Sequence, residues 1–259
     1  VSTDADGDRS REYIAGVDGT KNGWILTKAK NWPCTEIPDV FFANNFEELI
    51  ALTQDCDAIA LDMPLGLPSR DEIRTCDREA RSLLESLSPS PRGAASRLFL
   101  TPPREALYGH GGKAREFQKL HRQYRGKGAG LPVWGIVPKM TEADAALCTD
   151  PTLQDRFFEF HPELAFAHLA GKTLASKHNA AGVLSRFTLL HPFLPRLLDI
   201  SLDSSFHSAT IDDILDALVG LSTAAHFRRV RHDASPQDRR LPASTVPLDV
   251  KGLRMEIWF

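Results

Sequence analysis

No stretch of the 259 residues approaches 18 consecutive apolar side chains, so no membrane-spanning helix is expected. Cysteine is scarce. Cys34, Cys56, Cys76 and Cys148 are widely spaced and form no C-x-x-C pair, which argues against a zinc site of the usual spacing. A reduced, cytoplasmic protein with free thiols is the expectation. The chain also lacks a serine-hydrolase elbow, a complete P-loop and an internal repeat. Residues 1–11 lack the basic start and apolar centre of a signal peptide and read as a loose leader. What is present is ordinary for a globular chain: 42% hydrophobic and 25% charged residues, enough for one large domain with a sizeable core.

The net charge of −3 hides an uneven distribution. Between Arg70 and Lys139 there are fourteen Lys or Arg against seven Asp or Glu, about +7, which leaves about −10 for the rest. A basic block inside an acidic protein suits an anionic partner, although scattered solvated arginines give the same count.

Apolar runs predict strands over 13–17, 23–27, 40–43 and 58–61, with a short amphipathic helix over 46–53 capped by Asn44 or Asn45. The run 58–61 is apolar without alternation, as in a parallel strand buried on both faces. Residues 69–145 read as an insertion on this core: a basic helix over 74–87, a Ser/Pro/Gly loop, an extended stretch over 98–104, a helix over 114–124 and a flexible tract over 126–130. Further on, 156–160 reads as a strand halted by His161-Pro162-Glu163. Helix is expected over 164–170, 182–190, 192–198 and 210–227, then a polar loop over 230–245 and a terminal strand over 253–259.

The chemistry rests on carboxylates. Asp18 and Asp62 each follow a buried strand, where ligands of open α/β sheets sit. An Asp-Gly turn accounts for Asp18, and an Asx-turn for Asp62, equally simply. Asp213 forms a possible capping box with Thr210. Asp216 lies one turn further in, on the same helix face, and two such carboxylates repel unless a cation lies between them or one is protonated. Glu163 is a further candidate for holding a metal or orienting water, and His161 for holding a phosphate or shuttling a proton. An all-oxygen set of this kind suits Mg²⁺ or Mn²⁺.

Taken together, Gly16-Val17-Asp18-Gly19, Leu61-Asp62-Met63-Pro64-Leu65-Gly66-Leu67-Pro68, Arg74 with Cys76-Asp77-x-x-Ala80-Arg81, Phe99-Leu100-Thr101-Pro102-Pro103-Arg104, Pro138-Lys139-Met140, Glu159-x-His161-Pro162-Glu163 and Asp213-x-x-Asp216-Ala217-Leu218 resemble the signatures of domain-of-unknown-function family 429. That family is classed as predicted nucleases. The resemblance spans 16–257 and implies a ribonuclease-H-like α/β fold, a mixed five-stranded sheet with its first three strands antiparallel. It also makes Asp213-x-x-Asp216 similar to the carboxylate pair on the last helix of junction resolvases.

The resulting expectation is a single domain over 12–259 that hydrolyses phosphodiester bonds. Mg²⁺ or Mn²⁺ would be held by Asp18, Asp62, Asp213 and Asp216, with Glu163 beside them. Arg74, Arg78, Arg81, Arg104, Lys139 and His161 would contact nucleic acid or a phosphate-bearing small molecule. Asp18-Gly19-Thr20 also resembles the first turn of sugar kinases and actin-like ATPases, so a nucleotide-binding phosphotransferase is the alternative reading, and a non-catalytic binding module the third.

Overall fold

The computed structural model describes residues 11–90, 93–202, 206, 208–233 and 239–259. The loop at 91–92, part of the tract at 203–207 and the centre of the polar loop, 234–238, lie outside the described residues, as do leader residues 1–10.

Five strands form one sheet: β1 (Tyr13–Gly19), β2 (Trp24–Ala29), β3 (Asp39–Ala43), β4 (Cys56–Leu61) and β5 (Phe157–Glu159), in the order β3-β2-β1-β4-β5. The β1–β2 and β2–β3 pairs are antiparallel, whereas β1–β4 and β4–β5 are parallel. This mixed α/β sheet is consistent with a ribonuclease-H-like topology. β1 and β4 are buried on both faces, which is why they read as continuous apolar runs. Alternation along the strands still sorts the side chains. Ile14, Ala58, Ala60 and Phe158 join one core, while Ala15, Val17, Ile59, Leu61 and Phe157 join the other.

The first core is covered by α8 (Ile211–Asp233), with α6 (Pro162–Ala170) and α7 (Ala180–Leu190) packed on it and α2 (Thr75–Ser86) against α6. α8 meets β1 with almost no space between them. A Cβ on Gly16 would stand 2.0 Å from the Ala217 carbonyl oxygen and 2.9 Å from the Gly220 Cα. The Thr27 hydroxyl, 2.9 Å from that same carbonyl, pins the contact. Small residues on the strand thus bring one turn of α8 onto the sheet beside Asp18.

The second core is covered by α1 (Phe46–Leu52) and α5 (Leu131–Thr149), with α3 (Arg104–Gly109) and α4 (Ala114–Arg125) outside them. Asn45 caps α1, accepting from the Glu48 amide at 2.9 Å. α5 has no counterpart in the sequence reading, because glycines precede it, Pro132 stands in its first turn and Pro138 lies inside it. Its first-turn proline is tolerated there, and burial of Val133, Val137, Met140, Ala143 and Leu147 supplies the rest.

Three other stretches differ from expectation. Pro192 and Pro195 limit the expected helix over 192–198 to one 3-10 turn, Leu197–Asp199. α8 runs on to Asp233, into the stretch read as loop. The terminal strand is only β7 (Ile257–Trp258), paired antiparallel with β6 (Arg240–Leu241), and Trp258 is buried against Phe158 and Phe227. Among the described residues, no helix is long and apolar enough to cross a membrane, and all four cysteines are free.

Candidate carboxylate site

The Asp62 amide donates to the Val17 carbonyl at 2.9 Å, which places Asp62, just past the end of β4, beside Asp18 near the end of β1. Both follow the alternation that faces α8, so Asp216 on that helix completes a group of three. They line a cavity of about 310 Å³. The walls include Glu159, His161, Glu163, Ser176, Lys177 and His178, with Arg74, Arg97, Phe99 and Ile136 from the 69–145 segment.

Burial and mutual repulsion govern the acids. Asp18 is held well above the usual carboxylate range, first by burial and then by Asp62 and Asp216. Burial, then Asp216, pushes Asp62 up to about 7, against the opposing pull of Lys177 and of a hydrogen bond with Asp18. Burial raises Asp216 to about 6, against Lys177. One Asp18 oxygen accepts from the Gly19 amide at 2.7 Å. Asp216 Oδ1 is buried and has no hydrogen-bond partner.

The cation in this cluster is Lys177, whose Nζ lies 2.5 Å from Asp216 Oδ2 and 3.8 Å from Asp212 Oδ2. Burial works against its charge, but Asp216, Asp18 and Asp62 outweigh burial and hold its pKa well above the ordinary lysine value. Lys177 sits in the loop 172–179, which no motif distinguishes. Its importance is set by a partner 39 residues away, so only the fold reveals it.

Glu163, expected near a metal, is instead gripped by two arginines, Arg97 at 2.7 Å and Arg186. Arg97 also donates to the Leu174 carbonyl at 2.8 Å and Arg186 to the Ala175 carbonyl at 2.9 Å. Glu163 therefore anchors the loop that carries Lys177. A Cβ on Gly182 would meet the Ser176 carbonyl at 1.9 Å, so the same loop lies tight on the start of α7.

His161 precedes the first turn of α6 and lines the cavity. Its Nδ1 is buried without a partner, and burial lowers its pKa to about 4. The ring is therefore neutral at physiological pH and would meet a ligand by hydrogen bonding, not by charge.

The structure brings Asp18, Asp62, Asp216, Glu163, His161 and Arg74 to one cavity. Asp213, expected among the metal ligands, does not line it; its carboxylate accepts from the Thr210 amide at 2.8 Å as in a capping box, and only its charge reaches Asp18. Arg74 is buried with its donors committed: Nη2 lies 2.6 Å from Asp77, and Nη1 lies 2.6 Å from Glu159 and also 2.6 Å from the Leu65 carbonyl. Glu159 in turn accepts from the Leu65 amide at 2.8 Å, so this trio clamps the turn after Asp62. Arg81 donates to the Leu98 carbonyl, and Arg104 pairs with both Asp144 and Asp249 at 2.6 Å. Arg78 is exposed on α2. The Lys139 stem runs past Gly19, and its Nζ lies 5.6 Å from the centre of the Trp24 ring. Arg78, Arg81, Arg104 and Lys139 do not line the cavity.

Oxygen donors in a buried cluster, one of them an orphaned carboxylate oxygen, have the chemistry that a hard divalent cation requires. Among the described residues, no three His, Cys, Asp or Glu side chains are gathered closely enough to hold a metal ion as they stand. Lys177 meets Asp216 instead.

No curated protein and no solved structure matches this chain. A family model described as "Protein of unknown function (DUF429)" matches residues 16–240, which covers β1 from Gly16 onward, the other four strands of the main sheet and all of the carboxylate cluster. The chain belongs to the DUF429 family.

Proposed function

We propose that the protein hydrolyses phosphodiester bonds with the help of Mg²⁺ or Mn²⁺. The observation that carries this reading is the meeting of Asp18, Asp62 and Asp216 in one cavity at the ends of two parallel strands. These three would hold the ion, with Asp213 acting only through its charge. When bound, it would polarise a phosphoryl oxygen and lower the pKa of a water.

The chain's own groups supply the rest. Asp18 and Asp62 share a hydrogen bond in the protein as it stands, and a cation would let both ionise. His161, whose buried Nδ1 has no partner, would hydrogen-bond the water and orient it. Arg97, half-exposed at the cavity, would face the phosphate. Arg74, Glu159 and Asp77 would position Asp62 by fixing the turn behind it.

The size of the cavity favours a second reading alongside this one. About 310 Å³, walled by residues 97–99, Thr101 and Ile136, suits one nucleotide or a strand end better than a duplex. A small phosphate ester, or the nucleotide of a phosphotransferase, fits the same walls. The test is a panel with Mn²⁺: single- and double-stranded DNA, RNA, hybrid, a four-way junction and ATP, each with wild type and Asp18→Asn. Cleavage of a polymer that disappears in the variant is the expected result. Turnover of ATP alone would move the reading to the nucleotide enzyme. Silence with metal bound would leave a binding module.

A further inference from the structure

We infer that Lys177 holds the cation's place on Asp216 in the metal-free protein and moves to the substrate's phosphate when the metal enters. This rests on the metal reading above and names the residue that would link metal binding to phosphate binding.

The geometry begins with a shared seat. Lys177 Nζ touches Asp216 Oδ2 at 2.5 Å and stands 3.8 Å from Asp212, so it already fills the cationic position beside the orphaned Asp216 Oδ1. A divalent ion drawn to Asp18, Asp62 and Asp216 would meet an ammonium on the same carboxylate, and two cations there repel strongly at low dielectric. One must leave, and the structure shows which can.

The backbone around Lys177 is fixed. Arg97 holds the Leu174 carbonyl, Arg186 holds the Ala175 carbonyl, and Asn179 caps α7 by accepting from the Gly182 amide at 2.8 Å. The side chain is a flexible four-carbon stem and is 29% exposed. Movement is therefore confined to the side chain, which lines the cavity together with Ser176, His178 and Arg97. Glu163, another acid of that cavity, is already held by Arg97 and Arg186. A phosphate entering the cavity would give the displaced ammonium a new anionic partner. The ligand class is thus an anionic phosphate ester seated between the metal and Lys177.

The test uses the full chain and two readouts. Calorimetric titration with Mn²⁺ compares wild type with Lys177→Met. The variant has lost the competitor, so Mn²⁺ is expected to bind about tenfold tighter or more. In parallel, wild-type protein is treated with an amine-acylating reagent, and Lys177 labelling is followed by mass spectrometry. Mn²⁺ is expected to speed that labelling several-fold, and added inorganic phosphate to slow it again, with exposed Lys119 unchanged as the control. Should Lys177→Met fail to fold, the wild-type labelling decides alone. Equal or weaker Mn²⁺ binding by the variant, or labelling indifferent to Mn²⁺, overturns the inference while leaving the metal reading standing. Absence of Mn²⁺ binding in both proteins overturns the metal reading, and this inference with it.

Discussion

Two buried charge clusters flank the turn after Asp62, and they differ in the balance of donors to acceptors, although each holds two more carboxylates than cations. On the 69–145 side, Arg74 is matched by Asp77 and Glu159, and Arg104 by Asp144 and Asp249, with forked contacts near 2.6–2.7 Å. On the α8 side, Asp18, Asp62 and Asp216 share one lysine, and a carboxylate oxygen has no partner. In the first, each arginine is forked onto two carboxylates, with only Arg104 Nε left without a partner, and the cluster holds the structure in place. In the second, a single lysine serves three carboxylates at a cavity. Burial moves carboxylate pKa values toward neutrality in both: Glu159 is raised to about 7 despite Arg74, as Asp62 is to about 7 and Asp216 to about 6. The excess of arginine in the sequence pointed to the segment as a whole. Burial and pairing show that several of its cations serve the fold.

The largest effect should come from breaking the balanced cluster. Arg74→Met would leave Glu159 and Asp77 buried without their cation, at a cost of about 3–5 kcal/mol. Urea denaturation measures this. A loss under about 1 kcal/mol would mean that the trio is not the clamp described here.

The unbalanced cluster should behave in the opposite way. Its carboxylates have folded-state pKa values raised above the ordinary 3.8, to about 7 for Asp62 and about 6 for Asp216. A raised carboxylate pKa means that the folded state binds protons more tightly. The stability this contributes is complete below the ordinary value and is lost as pH rises through the folded values. In a chelator, the melting temperature should therefore fall between about pH 4 and pH 7, and Mn²⁺ should reverse the fall. Asp18→Asn removes one buried acid and should raise metal-free stability at pH 8 by about 1 kcal/mol, with no gain at acid pH. Thermal melts across pH check both, and a variant less stable than wild type at pH 8 would contradict the repulsion.

Much of this frame was legible in the sequence. Continuous apolar runs marked β1 and β4, and Asp18 and Asp62 near their ends pointed to the cavity that both line. The cap of α1 and the periodicity of α8 were equally plain. α5 was hidden because Gly130, Pro132 and Pro138 read as breakers, while its stability comes from packing on the sheet. Lys177 was hidden for a different reason: a lysine in a polar loop has no chemical mark until folding brings it to Asp216. The Arg74–Glu159 pair, 85 residues apart, was hidden in the same way. Local pattern shows where strands end, and long-range pairing decides which charges are spent.

The central claim is that Asp18, Asp62 and Asp216 form a cation site with surplus negative charge. A crystal of the full chain soaked in Mn²⁺ and measured for anomalous scattering tests it most directly. The account predicts a manganese peak bounded by these three carboxylates, with Lys177 no longer on Asp216. A cavity without a peak, with Lys177 still seated on Asp216 in the presence of saturating Mn²⁺, would contradict it.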